Sequence, residues 1–200
     1  MSANHLQKFD NAVKLIKAAK EVGADAVKLQ TYTPDTITID CDNEYFQTKQ
    51  GTLWDGQSLY ELYKKAYTPW EWQPRLKEIA ESEGLICFSS VFDKTAVDFL
   101  EKINVPAYKI ASFEITDIPL IEYVASKGKP VIISTGIATL SDIEEAINAC
   151  KRMENDQIAL LKCVSAYPTP LKDVNLRTIP NLADTFANCF TIFLILIAII

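Results

Sequence analysis

Histidine is almost missing from this chain. The 200 residues include one, His5, which excludes a metal site built from several histidines of this sequence. An excess of positive charge is missing too. Twenty Lys and Arg stand against 26 Asp and Glu, a formal net charge of −6. That balance disfavours a general nucleic-acid or anionic-membrane surface and leaves room for a local basic pocket. The five cysteines (Cys41, Cys87, Cys150, Cys163 and Cys189) show no CxxC spacing and their number is odd. Neither a zinc ribbon nor a disulfide framework is indicated, and reduced thiols acting as small buried hydrophobes in a cytoplasm are expected. The opening residues lack a basic stretch followed by an apolar run, so no secretory leader is expected. From Phe190 to Ile200 there is no charge and no turn residue. That run falls short of the roughly 20 residues a bilayer-spanning helix needs. Its isoleucine content favours a strand, buried or aberrant.

What is present is ordinary globular usage, 48% hydrophobic and 23% charged, with room for one domain, or one and a small second, and a sizeable core. Helix signals are plain. Val13, Ile16, Ala19 and Val22 form one stripe over residues 10–22, with Gly23 as a stop. Thr68-Pro69-Trp70-Glu71 reads as a capping box with proline at the first helical position, opening a helix to Gly84. A third helix follows Asp93 and ends near Asn104, and a fourth runs from about Pro119 to Lys127. Ser141-Asp142-Ile143-Glu144 reads as a second capping box, opening a helix to about Arg152.

Between the helices lie apolar runs too short to be helices, at residues 26–30, 85–89, 107–110, 131–134 and 158–162. Nearly continuous apolar strands suit a parallel sheet buried on both faces. The spacing of the later ones is that of repeated β/α units, which predicts an α/β fold, a (β/α) barrel or a doubly wound sheet. Residues 32–67, rich in Thr, Asp, Tyr and Gly, read as a long inserted loop.

In such folds chemistry sits where strands run out into βα-loops. There the polar residues are Lys28 and Gln30; Ser89, Ser90 and Asp93; Lys109, Ser112 and Glu114; Ser134, Thr135 and Gly136; and Lys162, Ser165 and Tyr167. A lysine within an apolar strand is costly unless an anion partners it. Lys28 and Lys109, with a ring of hydroxyls at Ser90, Ser112, Ser134 and Ser165, suit a phosphate plus a carboxylate. The plainer alternative is structural ion pairing, of Lys28 with Asp25 or Glu114 and of Lys109 with Asp93. Glu114 suits a general base or hydroxyl anchor, although a loop glutamate taken alone is more often just solvated. Tyr167 before Pro168 fits substrate positioning or simple packing, and Trp54, Trp70 and Trp72 read as loop and helix packing, with the lining of a sugar site as the alternative.

Ser2-Ala3-Asn4-His5, Lys28-Leu29-Gln30-Thr31, Phe88 to Asp93, Tyr108 to Ser112, Ser134-Thr135-Gly136 and Tyr167-Pro168 together resemble the sialic acid synthase family. Tyr32 to Thr38, Gly51 to Gly56, Tyr67 to Trp72 and Ser112 to Thr116 resemble its pseudaminic acid branch, with Phe113 where the sialic acid branch usually has glycine. The resemblance runs from Ser2 to about Phe186. It implies a TIM-type barrel followed by a small antifreeze-like domain. It also implies condensation of phosphoenolpyruvate with 2,4-diacetamido-2,4,6-trideoxy-L-altrose, assisted by a divalent metal, Mn or Mg, with release of phosphate. Carried over by position, Lys28, Ser90, Lys109, Ser112, Ser134 and Ser165 would hold phosphoenolpyruvate. Gln30, Glu114 and Tyr167 would contact the sugar or the reacting centre.

Measured against that family, residues 1–186 are expected to form an incomplete (β/α)8 barrel of about six units, and 187–200 an aberrant apolar tail. The antifreeze-like domain and the metal-binding histidines are expected to be missing, so no metal ligand is assigned. The family's domain-exchanged homodimer is not expected to be reproduced. Three readings stay open: a cytoplasmic sugar-acid synthase impaired by truncation (pseudaminic or N-acetylneuraminate type), a Schiff-base barrel aldolase using Lys109, and a non-catalytic or membrane-associated remnant.

Overall fold

The computed structural model describes residues 1, 3–48, 55–166, 169–187 and 189–193. The chain divides into two compact units, Met1–Val105 and Pro106–Ile200. In the first, α1 (Phe9–Glu21) leads into β1 (Ala26–Thr31), followed by α2 (Pro34–Ile37), α3 (Leu59–Ala66), α4 (Gln73–Ser82), β2 (Ile86–Val91) and α5 (Lys94–Lys102). In the second, β3 (Tyr108–Ile110), α6 (Ile118–Ala125), β4 (Val131–Ser134), α7 (Leu140–Arg152), β5 (Ile158–Lys162), α8 (Thr178–Thr185) and β6 (Phe190–Phe193) alternate. The strands pair in parallel, β1 with β2 in one unit and β3–β4–β5–β6 in the other. The expected α/β class is the class observed. No helix among the described residues is long and apolar enough to cross a membrane.

Alternation along the paired strands separates two faces. In the first unit Leu29 and Cys87 share a face and pack with Ala12 and Ile16 of α1 and with Leu76 and Ala80 of α4. Lys28 lies opposite Phe88, and Gln30 opposite Ser90, on the other face. In the second unit Tyr108, Ile110, Val131, Ile133, Ile158 and Leu160 share one face and are buried. Lys109, Ile132, Ser134, Ala159 and Leu161 share the other. Asn155 ties α6 to the start of β5. Its amide donates to Ala125 O (3.1 Å) and Lys129 O (2.9 Å), and its Oδ1 accepts from the Gln157 amide at 3.0 Å.

Three expectations are corrected. Residues 32–67 are not one loop: they hold α2 and α3, the latter capped by Ser58 Oγ accepting from the Glu61 amide at 3.2 Å. The capping box of α7 is formed by Thr139 and Asp142, two residues before Ser141, because the Asp142 carboxylate accepts from the Thr139 amide (2.8 Å) and hydroxyl (2.7 Å). Those bonds hold the Asp142 carboxyl below the usual aspartate range. Thr68 does not cap the helix after Pro69. Its hydroxyl is taken by His5 Nε2 at 3.1 Å, and the chain enters α4 through a 3-10 turn at Trp70–Trp72. The strand expected in the tail is β6 over Phe190–Phe193; residues 194–200 lie outside the described residues.

Candidate functional site

Polar side chains in the first unit fall into two groups. On the helix-packed face Thr31 Oγ1 donates to Gln73 Oε1 at 2.7 Å and meets Ser89 Oγ at 2.7 Å. Gln73 Nε2 reaches the main-chain oxygens of Gln30 and Thr68, each at 3.5 Å. His5 is fully buried, with Nδ1 accepting from the Gln7 amide at 3.1 Å and its ring edge-on to Trp72. Burial pushes its pKa below the usual histidine value, which favours the neutral ring. Each of these groups has a partner. On the other face Lys28 and Gln30 are half-buried, and Ser90 is 1% exposed with an Oγ that has no hydrogen-bond partner among the described residues. A buried hydroxyl without a partner is rare enough to need a reason.

The second unit gathers its polar groups around the ends of β3, β4 and β5. Lys109 is 3% exposed, and its Nζ donates to Ser134 Oγ at 2.5 Å and to Ile110 O. Cys163 Sγ donates to the same Ser134 oxygen at 3.2 Å. Beyond β4 the Gly136 amide donates to Ser112 Oγ at 3.2 Å. A Cβ at position 136 would lie 2.7 Å from Ser112 Oγ and collide with Ser165 Oγ. Only glycine lets the strand-end amide and these two hydroxyls share that space. Thr135 turns away, its amide and hydroxyl both donating to Leu161 O (3.0 and 3.1 Å). Lys162 donates to Cys163 O at 2.9 Å.

Glu114 sits on the turn after β3 and is not simply solvated. Its Oε2 is buried without a hydrogen-bond partner, and burial chiefly raises its pKa above the usual glutamate value, against the lowering pull of a backbone bond and of Lys109. A carboxyl held towards its protonated form near a basic group is suited to proton transfer. So Lys109, Ser112, Ser134 and Ser165 lie around the ends of β3, β4 and β5, and Lys28, Gln30 and Ser90 share one face of β1 and β2. Tyr167 and Trp54 lie outside the described residues. Trp70 and Trp72 have packing roles: the first stacks near Phe99 and donates to Tyr32 O (3.0 Å), the second meets His5 and Phe9.

Comparison with known proteins gives this arrangement a family. Residues 15–191 match the NeuB family. The chain belongs to the NeuB family. It is 50% identical over 190 residues to the pseudaminic acid synthase of Helicobacter pylori, covering 95% of this chain and 56% of that protein. It is 47% identical to the pseudaminic acid synthase of Campylobacter jejuni, covering 93% of this chain and 54% of that protein. The N-acetylneuraminic acid synthetase structure from Leptospira borgpetersenii superposes with a TM-score of 0.81 at 30% identity, over 96% of this chain and 61% of that one. The chain spans about half the length of the curated relatives it matches. Its fold class is therefore the (β/α) TIM-type barrel of sialic acid synthases, represented by six β/α strands among the described residues.

For a NeuB-family chain the fit to a metal is testable on the donors present. Among the described residues no three His, Cys, Asp or Glu side chains come together to hold an ion, and His5 is committed to Thr68 and Gln7. These residues do not fit a metal, and no step is assigned to one. Cys87, Cys150 and Cys163 are the buried hydrophobes expected, whereas Cys41 and Cys189 are only half-buried; burial pushes Cys87 up to about 11 and Cys150 up to about 12, so both stay protonated. The sequence reading missed Gln73, Thr31 and Cys163. Continuing the alternation from Leu161 to Cys163 would have placed that thiol on the face of Ser134.

Proposed function

We propose that this chain carries the phosphoenolpyruvate-holding β/α units of a pseudaminic acid synthase. The reaction is condensation of phosphoenolpyruvate with 2,4-diacetamido-2,4,6-trideoxy-L-altrose, releasing phosphate, in the cytoplasm. The observation that carries the reading is the buried Lys109 ammonium bonded to Ser134, together with the Gly136 position that a Cβ would fill against Ser112 and Ser165. A buried cation with directed donors close by suits a compact oxyanion. In the second unit Lys109, Ser112, Ser134 and Ser165 are assigned to phosphoenolpyruvate. In the first unit Lys28 and Ser90 are assigned to the same compound, and Gln30 to the sugar. The partnerless Ser90 hydroxyl supports this assignment.

Glu114 is assigned to the reacting centre, where its raised pKa suits holding or passing a proton on a sugar hydroxyl. Tyr167 is assigned to sugar contact by family position. These residues act by binding and orienting, which converts the encounter of two small molecules into a fixed approach. The divalent metal and the homodimer belong to the full-length enzyme in this reading.

The test is calorimetric titration of the chain with phosphoenolpyruvate, followed by phosphate release with the amino sugar and manganese. Saturable binding that Lys109→Met weakens by about 30-fold or more supports the reading. No saturable binding overturns it, and phosphate release that requires the amino sugar supports the condensation.

A further inference from the structure

We propose that Cys163 is a positioning residue for the anion site: its thiol and the Lys109 ammonium together fill both acceptor positions of Ser134 Oγ, which leaves the Ser134 proton to be donated to a bound oxyanion. The proposal rests on the phosphoenolpyruvate reading above and deepens it. A serine hydroxyl has one proton and two lone pairs. Here the lone pairs are met by Lys109 Nζ at 2.5 Å and by Cys163 Sγ at 3.2 Å. Both donors are buried, Lys109 at 3% and Cys163 at 8% exposure, and Ser134 itself is 5% exposed. Among the described residues no acceptor receives the Ser134 proton. Sulfur is a weak acceptor, so that proton is not drawn back to Sγ.

The strands set this geometry. Ser134 pairs with Leu161 across β4 and β5. Cys163 follows two residues later and keeps to the Ser134 face, diagonal to it. A hydroxyl whose acceptor sites are already occupied can meet a ligand only as a donor, which selects for oxyanions over ammonium or amide donors. Without the thiol, the hydroxyl can rotate and turn a lone pair towards the ligand. Cys163 thus acts on the ligand only through Ser134.

The experiment compares Cys163→Ser, Cys163→Ala and Cys163→Val by the Kd for phosphoenolpyruvate, with the melting temperature measured alongside. Serine keeps a donor; alanine and valine do not. The positioning role predicts a Kd within about threefold of the unchanged chain for serine, and about fivefold to tenfold weaker for alanine and valine, the loss of one hydrogen bond. A purely structural role predicts the reverse order, since valine best preserves buried apolar volume and serine adds a polar atom. Valine binding like the unchanged chain while serine fails overturns the proposal.

A second readout needs no ligand. The S–H stretching band of Cys163, obtained by difference against Cys163→Ala, is expected at lower wavenumber in the unchanged chain than in Ser134→Ala. An unmoved band overturns the positioning proposal alone. A moved band in a chain that takes up neither phosphoenolpyruvate nor inorganic phosphate overturns the phosphoenolpyruvate reading, and with it the purpose assigned to the bond.

Discussion

The first unit places Thr31 and Ser89 on the face that packs against α1 and α4, and closes them into a network with Gln73. The equivalent face of the second unit is apolar throughout, from Tyr108 to Leu160. Its partnered polar groups, Lys109, Ser134 and Cys163, lie on the opposite face. The difference separates two uses of buried polarity. A network whose donors and acceptors answer one another specifies packing and asks for nothing more. Around Ser134 two donors converge on one hydroxyl, the arrangement on which the proposed anion site rests.

The sharpest way to break this comparison is Lys109→Met, which keeps the stem and removes the charge. Phosphoenolpyruvate affinity is expected to fall by about 30-fold or more, the scale of a lost charged hydrogen bond. The melting temperature is expected to move by only a few degrees, because the desolvation cost of the buried ammonium offsets the bonds it makes to Ser134 and Ile110. A large drop in melting temperature would make Lys109 a structural residue and erase the contrast.

Gly136→Ala comes next. The added methyl meets two serine hydroxyls, and displacing them is expected to weaken phosphoenolpyruvate binding about tenfold and to cost about 1–3 kcal/mol of stability. Binding unchanged in calorimetry would remove the glycine position from the site. The opposite pattern is expected for Gln73→Leu. Deleting the acceptor of Thr31 Oγ1 should cost about 1–3 kcal/mol in denaturant unfolding and leave the phosphoenolpyruvate Kd within twofold.

The smallest effect is in pH. His5 has its pKa lowered by burial, so the unfolded chain binds more protons as pH falls through the ordinary histidine range near 6.5. Stability from this group is present above that value and is lost as pH falls through the folded pKa. The melting temperature should decline between pH 7 and 5, and the decline should be shallower in His5→Gln. An identical slope in both proteins would show that His5 does not titrate on unfolding.

Much of the fold could be read in advance because each strand is a short apolar run between marked helix ends: the reading of 131–134 and 158–162 coincides with β4 and β5. The segment 32–67 was misread because its composition looked like a loop. Yet Ser58-Leu59-Tyr60-Glu61 is a capping signature, and Leu59, Leu62, Tyr63 and Ala66 have helical spacing. Thr68 failed for a different reason. Its hydroxyl answers a histidine 63 positions away, and no local pattern records such a partner. In the candidate site, the burial of Lys109 beside Ser134 was legible because a lysine in an apolar strand is conspicuous. Cys163 was not, because a cysteine beside leucines reads as one more hydrophobe.

The bare α-carbon at 136 also decides where this protein can be re-engineered. Two alcohols already occupy the room a side chain would need there, so variation at that position can only subtract. Phe113 (66% exposed) and Ile137 (47% exposed), on the neighbouring turns after β3 and β4, carry no such constraint. Substitutions at those two positions meet solvent rather than packed hydroxyls.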